Sequence, residues 1–334
     1  MMEWSIIFTG LTLSLAVCGF MVIAGVGDVP GQRSSHDNVT PTGGGLGILA
    51  AMGITGLMLG HYGYLSDAMA QILSLIWGVG LLGLCDDVFD LNPKYKLVLL
   101  MVLATAAVWV IGPVTDMPFG ASDYEIPLWI GWSGSVLWVL VVVNIVNFMD
   151  GSNGLMLVVM SIAAAVLGYI ARELAAPQTI LLLAMLLVGM MGLLPYNLRN
   201  KAAIFSGDVG ALTIGFTYAV AVLWMCSETP YEGSLYIGPV LILPLLADGL
   251  FTIIKRIRAG ENIMQAHRSH LYQIMVQKGL PHLGVAFIYG IAAIAMAGFT
   301  IWSMSLDLHK FVNFLILPLL ILAGLYLLAM RRFN

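Results

Sequence analysis

Five polar clusters interrupt an otherwise apolar chain, and their residue types suit phosphate and metal chemistry. They are Arg33-Ser34-Ser35-His36 leading to Thr42-Gly43-Gly44-Gly45; Asp86-Asp87-Val88-Phe89-Asp90 with Lys94 and Lys96; Asn144-x-x-Asn147-x-x-Asp150-Gly151-Ser152-Asn153-Gly154; Phe205-Ser206-Gly207-Asp208; and His267-Arg268-Ser269-His270. Adjacent carboxylates such as Asp86 and Asp87 repel and are costly to desolvate, so they need a cation or water. With oxygen-only ligands the matching metal is hard, Mg²⁺ above all, which keeps several waters and is shared with substrate phosphates. The plainer alternative is a solvated helix end with Lys94 and Lys96 as counter-charges. Asn144 and Asn147 are three apart and share a helical face. A simple turn between helices accounts for the glycines after Asp150, but not for four amides and acids at intervals of three. Asp208 opens an apolar run and could equally be a helix N-cap. Asp248, four residues before Thr252, reads either as an internally satisfied residue or as a wall of the site. In the last cluster Arg268 can clamp a phosphate oxygen, with His267 and His270 on one face. A zinc pair is the rival there, but it lacks the HExxH spacing and a nearby thiolate. Arg33 and His36 could serve lipid headgroups.

The elements that position these groups follow from composition. The chain has 334 residues, of which 60% are hydrophobic and 10% charged, with mean hydropathy +0.95. A soluble domain carries about 25% charged residues, so a cytosolic enzyme, a disordered regulator and a nucleic-acid binder are excluded. Cys18, Cys85 and Cys226 match no metal spacing and form no disulfide framework. A spanning helix needs about 20 apolar residues. Eleven apolar runs qualify, near 4–24, 45–60, 68–84, 97–112, 134–149, 154–171, 178–195, 209–226, 235–254, 283–302 and 312–330. The expectation is one all-α transmembrane domain over residues 1–334 with about eleven helices. The first run lacks a cationic n-region and reads as a retained helix. With the N-terminus outside and the C-terminus cytoplasmic, all of the 14 Lys and Arg residues except Arg172 and Lys310 fall inside, as the positive-inside rule requires. The polar clusters then lie in cytoplasmic loops 25–44, 85–96, 144–154, 196–208 and 255–282. Small-residue pairs Gly43/Gly47 and Gly56/Gly60 read as helix-packing positions. Carboxylates for a metal, amides for a polar ligand and a cationic loop for phosphate share one face, which suits a nucleotide diphosphate with Mg²⁺. The surrounding bilayer suggests a lipid as second substrate.

On these motifs the chain resembles the polyprenyl-phosphate N-acetylhexosamine-1-phosphate transferases, the glycosyltransferase family 4 type that includes phospho-MurNAc-pentapeptide translocase and undecaprenyl-phosphate GlcNAc-1-phosphate transferase. The likeness runs from Arg33 to His270 in the family's order: Asp86-Asp87-x-x-Asp90, Asn144 to Gly154, Gly207-Asp208, and His267 to His270. The resemblance implies transfer of a sugar 1-phosphate from a UDP-N-acetyl sugar to undecaprenyl phosphate with release of UMP, at a bacterial inner membrane, as the first step of an envelope glycan such as O-antigen. It implies Mg²⁺ as cofactor, with Mn²⁺ as a substitute, held by Asp208 and Asn147. Asp86 and Asp87 are implied to handle the lipid phosphate, with Asp208 completing the catalytic set. Lys96 is implied to contact phosphate, Asn153 uracil, and Asp150 the nucleoside pocket, while Asn144 is expected among the substrate-binding residues. His267, Arg268 and His270 are implied to hold the diphosphate and sugar. A homodimer is expected by analogy alone.

Two departures from the family's pattern stand out. Asn153 occupies a position that is often Asp, and Pro41-Thr42-Gly43-Gly44-Gly45 lacks a Pro-Arg pair. The form His267-Arg268-Ser269-His270 resembles the branch that uses 6-deoxy-N-acetylhexosamines. The expected chemistry is attack of the lipid phosphate on the β-phosphorus of the UDP-sugar, with Asp87 or Asp86 taking a proton, or a double displacement through a covalent aspartyl phosphate. The reading of another class is a transporter or lipid flippase using cytoplasm-facing carboxylates, disfavoured because such groups usually sit near the midplane; a second enzyme alternative is a CDP-alcohol phosphotransferase, whose own motif is missing.

Overall fold

A computed structural model describes residues 2–25, 27–28, 40–119, 122–229, 234–261, 268–308 and 311–333. The Arg33–His36 cluster and His267 lie outside the described residues. Thirteen helices account for most of the described chain: α1 (Met2–Ala24), α2 (Gly45–His61), α3 (Asp67–Phe89), α4 (Pro93–Ile111), α5 (Leu128–Met149), α6 (Leu155–Glu173), α7 (Pro177–Asn197), α8 (Gly207–Glu228), α9 (Ser234–Leu241), α10 (Leu243–Arg258), α11 (Leu271–Gln277), α12 (His282–Met304) and α13 (Asn313–Phe333). Lipid offers backbone groups no hydrogen bonds, so a run that crosses it closes its own bonds as a helix.

Among the described residues, nine helices are long and apolar enough to cross a bilayer, and α9 with α10 can count as a tenth span. The chain is therefore a multi-pass membrane protein. Helix α2, at 17 residues, is a shorter apolar helix. Each apolar run read from the sequence falls on a helix, with two corrections. The run 235–254 is two helices bent by 78°. Pro239 and Pro244 flank the break at Ile242, and each removes a backbone donor that a continuous helix needs. The run 134–149 begins earlier, at Leu128, directly after Pro127. The fold is all-helical, as expected, with two short antiparallel pairs in its loops: β1 (Gly27–Asp28) with β2 (Thr40–Pro41), and β3 (Asp116–Phe119) with β4 (Ser122–Glu125).

Helix α8 lies at the centre, buried along its whole apolar length and packed by α2, α3, α4, α5, α6, α7 and α9. Inside a bilayer, helices associate through close van der Waals packing and interhelical hydrogen bonds rather than through water exclusion. Both are present. A Cβ at Gly45 would sit 2.2 Å from the Gly210 nitrogen, and one at Gly83 would sit 2.6 Å from the Asp208 carbonyl oxygen, so only glycine lets α2 and α3 reach α8. The Trp138 indole donates to the Ala219 carbonyl at 3.1 Å, and the Tyr218 hydroxyl to the Gly238 carbonyl at 2.9 Å. Of the small-residue pairs read from the sequence, Gly47 packs against Cys18 and Ser14, and Gly56 against Leu73, while Gly60 has ordinary room.

Candidate active site

Helices α3 and α5 finish, and α4 and α8 begin, at the same end of the bundle. That brings the acidic cluster, Lys96, the Asn147 segment and Asp208 together from positions up to 122 residues apart. The turn between α3 and α4 is set locally. Asp90 caps α3 in the left-handed region at φ 47°, which Asp tolerates better than most residues. Asn92 accepts from the Lys94 amide at 3.0 Å, and Pro93 starts α4 with the φ a first helical position wants.

Lys96 is the hub. Its ammonium bonds Asp86 Oδ2 at 2.6 Å and also bonds Asp208 Oδ2. Asp86 Oδ1 accepts from the Leu91 amide at 2.9 Å, which fixes the carboxylate to the turn. Lys94, two residues away, is exposed. Asp87 faces another way: Oδ1 accepts from the Asp208 amide at 2.8 Å and Oδ2 from the Val209 amide at 3.2 Å. The orphan amides that begin α8 are thus capped by a carboxylate from α3. Asp208 is not the cap of its own helix; its side chain is left for the cluster. Gly207 makes this approach possible, with φ +70° and space for a Cβ denied by Asp87 Oδ2 at 2.6 Å.

Asn147 closes the cluster. With its amide assigned so that nitrogen faces Asp208, it donates to Oδ1 at 3.1 Å and its oxygen accepts from Lys96 at 3.1 Å. In the opposite orientation two oxygens face each other at the same 3.1 Å, an arrangement that a bound cation would relieve. That separation is near the edge of an octahedron with Mg–O bonds of about 2.1 Å, about 3 Å. Asp208 and Asn147 are therefore fit, by donor type and spacing, to hold Mg²⁺ as neighbouring ligands. Among the described residues, no group of three or more His, Cys, Asp or Glu is arranged to hold a metal.

Asp150 follows α5 and accepts a hydrogen bond from the Ser206 hydroxyl. Burial pushes its carboxyl up to about 8, with the nearby charges of Asp208 and Asp87 adding to the shift and the Ser206 bond opposing it. Asn153 is buried, and its amide nitrogen donates to the carbonyls of Arg199 and Asn200 at 3.1 and 3.2 Å. Its nitrogen holds the 198–204 loop to the turn. Asn144 does not join the cluster: its nitrogen bonds the Leu140 carbonyl one turn back on α5.

The cationic loop docks on the same end. His270 is buried and precedes α11; its backbone nitrogen donates to Gln273 Oε1 at 3.3 Å. Arg268 is exposed. The Tyr272 hydroxyl donates to the Phe148 carbonyl at 2.9 Å, and the Ser152 hydroxyl meets His282 Nδ1 at 2.9 Å. Sequence reasoning gave no role to Ser206, Tyr272 or His282. Ser206 was within reach of it, beside Gly207-Asp208; Tyr272 and His282 carry no local signal, since their partners are more than 120 residues away.

Residues 69–226 match the family model for glycosyl transferase family 4, a span that contains every member of the Asp86–Lys96–Asn147–Asp208 cluster. The chain is 27% identical over 309 residues to the probable undecaprenyl-phosphate N-acetylglucosaminyl 1-phosphate transferase of Bacillus subtilis (strain 168), covering 89% of this chain and 84% of that protein. It is 26% identical over 296 residues to the undecaprenyl-phosphate alpha-N-acetylglucosaminyl 1-phosphate transferase of Salmonella typhi, covering 82% and 75%. The protein of that name from Escherichia coli (strain K12) is 25% identical over 297 residues, with the same coverage.

Proposed function

Because this chain belongs to glycosyl transferase family 4, we propose that it transfers N-acetylglucosamine 1-phosphate, or a related N-acetylhexosamine 1-phosphate, from its UDP-sugar to undecaprenyl phosphate. UMP is released, and the product starts an envelope glycan. The observation that carries this reading is the hydrogen-bonded cluster of Asp86, Lys96, Asn147 and Asp208 at one end of a membrane bundle. We place that end in the cytoplasm of a bacterial inner membrane, with eleven spans and the N-terminus outside; the distribution of Lys and Arg supports this.

An oxygen of the lipid phosphate attacks the β-phosphorus, the bond from that phosphorus to the bridging oxygen breaks, and UMP leaves with the electron pair. Mg²⁺ held by Asp208 and Asn147 would offset charge on the diphosphate and make UMP a better leaving group. Lys96 donates to phosphate oxygens while staying neutralised by Asp86 and Asp208. Asp87 holds Asp208 in place through the backbone of α8. Asp86 or Asp87 accepts the proton of a monoprotonated lipid phosphate, which needs only a weak base because the second phosphate pKa is near 6. Arg268 and His270 engage the diphosphate and sugar, and the turn at Asp150 lines the nucleoside.

Purified protein with Mg²⁺, undecaprenyl phosphate and a panel of UDP-N-acetyl sugars is expected to release UMP. No release from any donor by folded protein overturns the reading. A radiolabelled acyl phosphate on the protein, trapped without acceptor lipid, would replace direct attack by double displacement.

A further inference from the structure

Asp248 lies on α10, apart from the Asp86–Lys96–Asp208 cluster, and the chemistry above does not use it. It is 2% exposed, yet donors surround its carboxylate. Oδ1 accepts from the Leu271 amide at 2.8 Å and from the Thr252 hydroxyl at 3.2 Å. Oδ2 accepts from the Tyr289 hydroxyl at 2.6 Å and from the Tyr272 amide at 3.3 Å. His270 Nδ1 lies 3.6 Å from Oδ1. Leu271 and Tyr272 are the first two residues of α11, whose opening amides have no partner within the helix. One carboxylate from α10 therefore caps α11 from outside, and Tyr289 ties α12 to the same point.

The cap fixes where the Arg268–His270 loop ends. From that anchored start, the Tyr272 side chain reaches the Phe148 carbonyl, two residues before Asp150. A Cβ on Gly151 would lie 2.2 Å from the Tyr272 hydroxyl, so the loop and the Asp150 turn are in direct contact and the contact requires glycine. Asp248 holds the backbone of the residue that makes it.

We propose that Asp248 is a positioning residue for the transfer reaction: through the N-terminus of α11 it sets Arg268 and His270 against the Asp150 turn, in the register at which they engage the donor diphosphate. The inference rests on the transferase reading. A carboxylate that only stabilised the fold would change how much protein folds, whereas one that positions the loop changes the affinity of folded protein for one substrate and not the other.

The test uses the full chain in detergent, with UDP-GlcNAc and undecaprenyl phosphate varied in turn, and amide hydrogen exchange read over residues 268–273. Asp248→Asn is expected to raise KM for the UDP-sugar about tenfold, leave KM for the lipid phosphate within about twofold, and speed exchange at Leu271 and Tyr272. Asp248→Glu, which keeps the acceptor charge, recovers part of the donor affinity. Tyr289→Phe moves the donor KM in the same direction by about threefold. Faster exchange with an unchanged donor KM overturns the proposal, as does unchanged exchange. Should Asp248→Asn fail to fold, Tyr289→Phe decides, and a wild-type donor KM in that variant overturns it. A wild-type protein that releases no UMP from any donor overturns the transferase reading itself, which is a separate outcome from an active wild type beside an unaltered Asp248→Asn.

Discussion

At the scale of single residues, charge neutralisation organises the site. Lys96 brings one positive charge against two carboxylates, and its removal leaves Asp86 and Asp208 without that partner. Fully buried pairs lose 3–5 kcal/mol when one member goes, but these side chains keep 13% and 27% exposure, so Lys96→Met is expected to cost about 1–2 kcal/mol. Turnover should fall about 100-fold or more, since a preorganised cation is lost where charge develops. A detergent melting curve beside single-turnover UMP release checks both, and exposed Lys94→Met serves as the control, expected within about 0.5 kcal/mol of wild type. Asp150 makes a pH prediction of definite sign. Its carboxyl is raised from 3.8 to about 8 in the folded protein, so the folded state keeps a proton that the unfolded chain has lost. Stability in substrate-free protein should therefore fall as pH rises from about 4 to about 8. Melting curves across that range should show the slope in wild type and a flatter one in Asp150→Asn.

At the scale of elements, three helix N-termini among the described residues are capped by carboxylates from other helices. Asp87 caps α8, Asp248 caps α11, and Glu228 caps α7 through the Gln178 and Thr179 amides at 2.8 and 3.1 Å. Each bond satisfies donors that lipid cannot and fixes one helix end against another. At α8 this arrangement also aims Asp208. Gly207→Ala tests it: a Cβ there meets Asp87 Oδ2 and sits on a backbone with φ +70°. The expected cost is about 1–2 kcal/mol, the sum of a left-handed Ala and a damaged cap. UMP release should drop at least about tenfold with the donor KM little changed, because the displaced group is Asp208 rather than the cationic loop.

At the scale of the whole molecule, orientation decides which compartment supplies the nucleotide. In a cysteine-free background, a membrane-impermeant thiol reagent applied to intact cells is expected to label cysteine at position 172 and spare cysteine at position 201. The reverse pattern would put the cluster outside and remove UDP-sugar as its donor. The bundle also explains why the site sits at its end: α8 is enclosed by seven other helices, and open polar ground begins only where Gly207 and Asp208 emerge beside the ends of α3 and α5.

Much of this was legible from residues alone. A run of about 20 apolar residues has one stable form in lipid, so the helices at 2–24, 67–89 and 155–173 follow from composition without knowledge of any contact. The rarity of polar and ionisable residues in such a chain likewise singled out Asp86, Asp87, Lys96, Asn147 and Asp208, since each polar group kept near a membrane has to offset its desolvation. What one sequence could not assign is partnership. That Asp87 caps α8 while Asp86 turns to Lys96, that Asn144 bonds its own helix while Asn147 faces Asp208, and that Asp248 holds α11 all depend on which helix ends meet. A carboxylate reads the same in the chain whether it binds a metal, a lysine or an orphan amide; only the packing of α3, α4, α5, α8 and α10 decides which of those partners comes within reach.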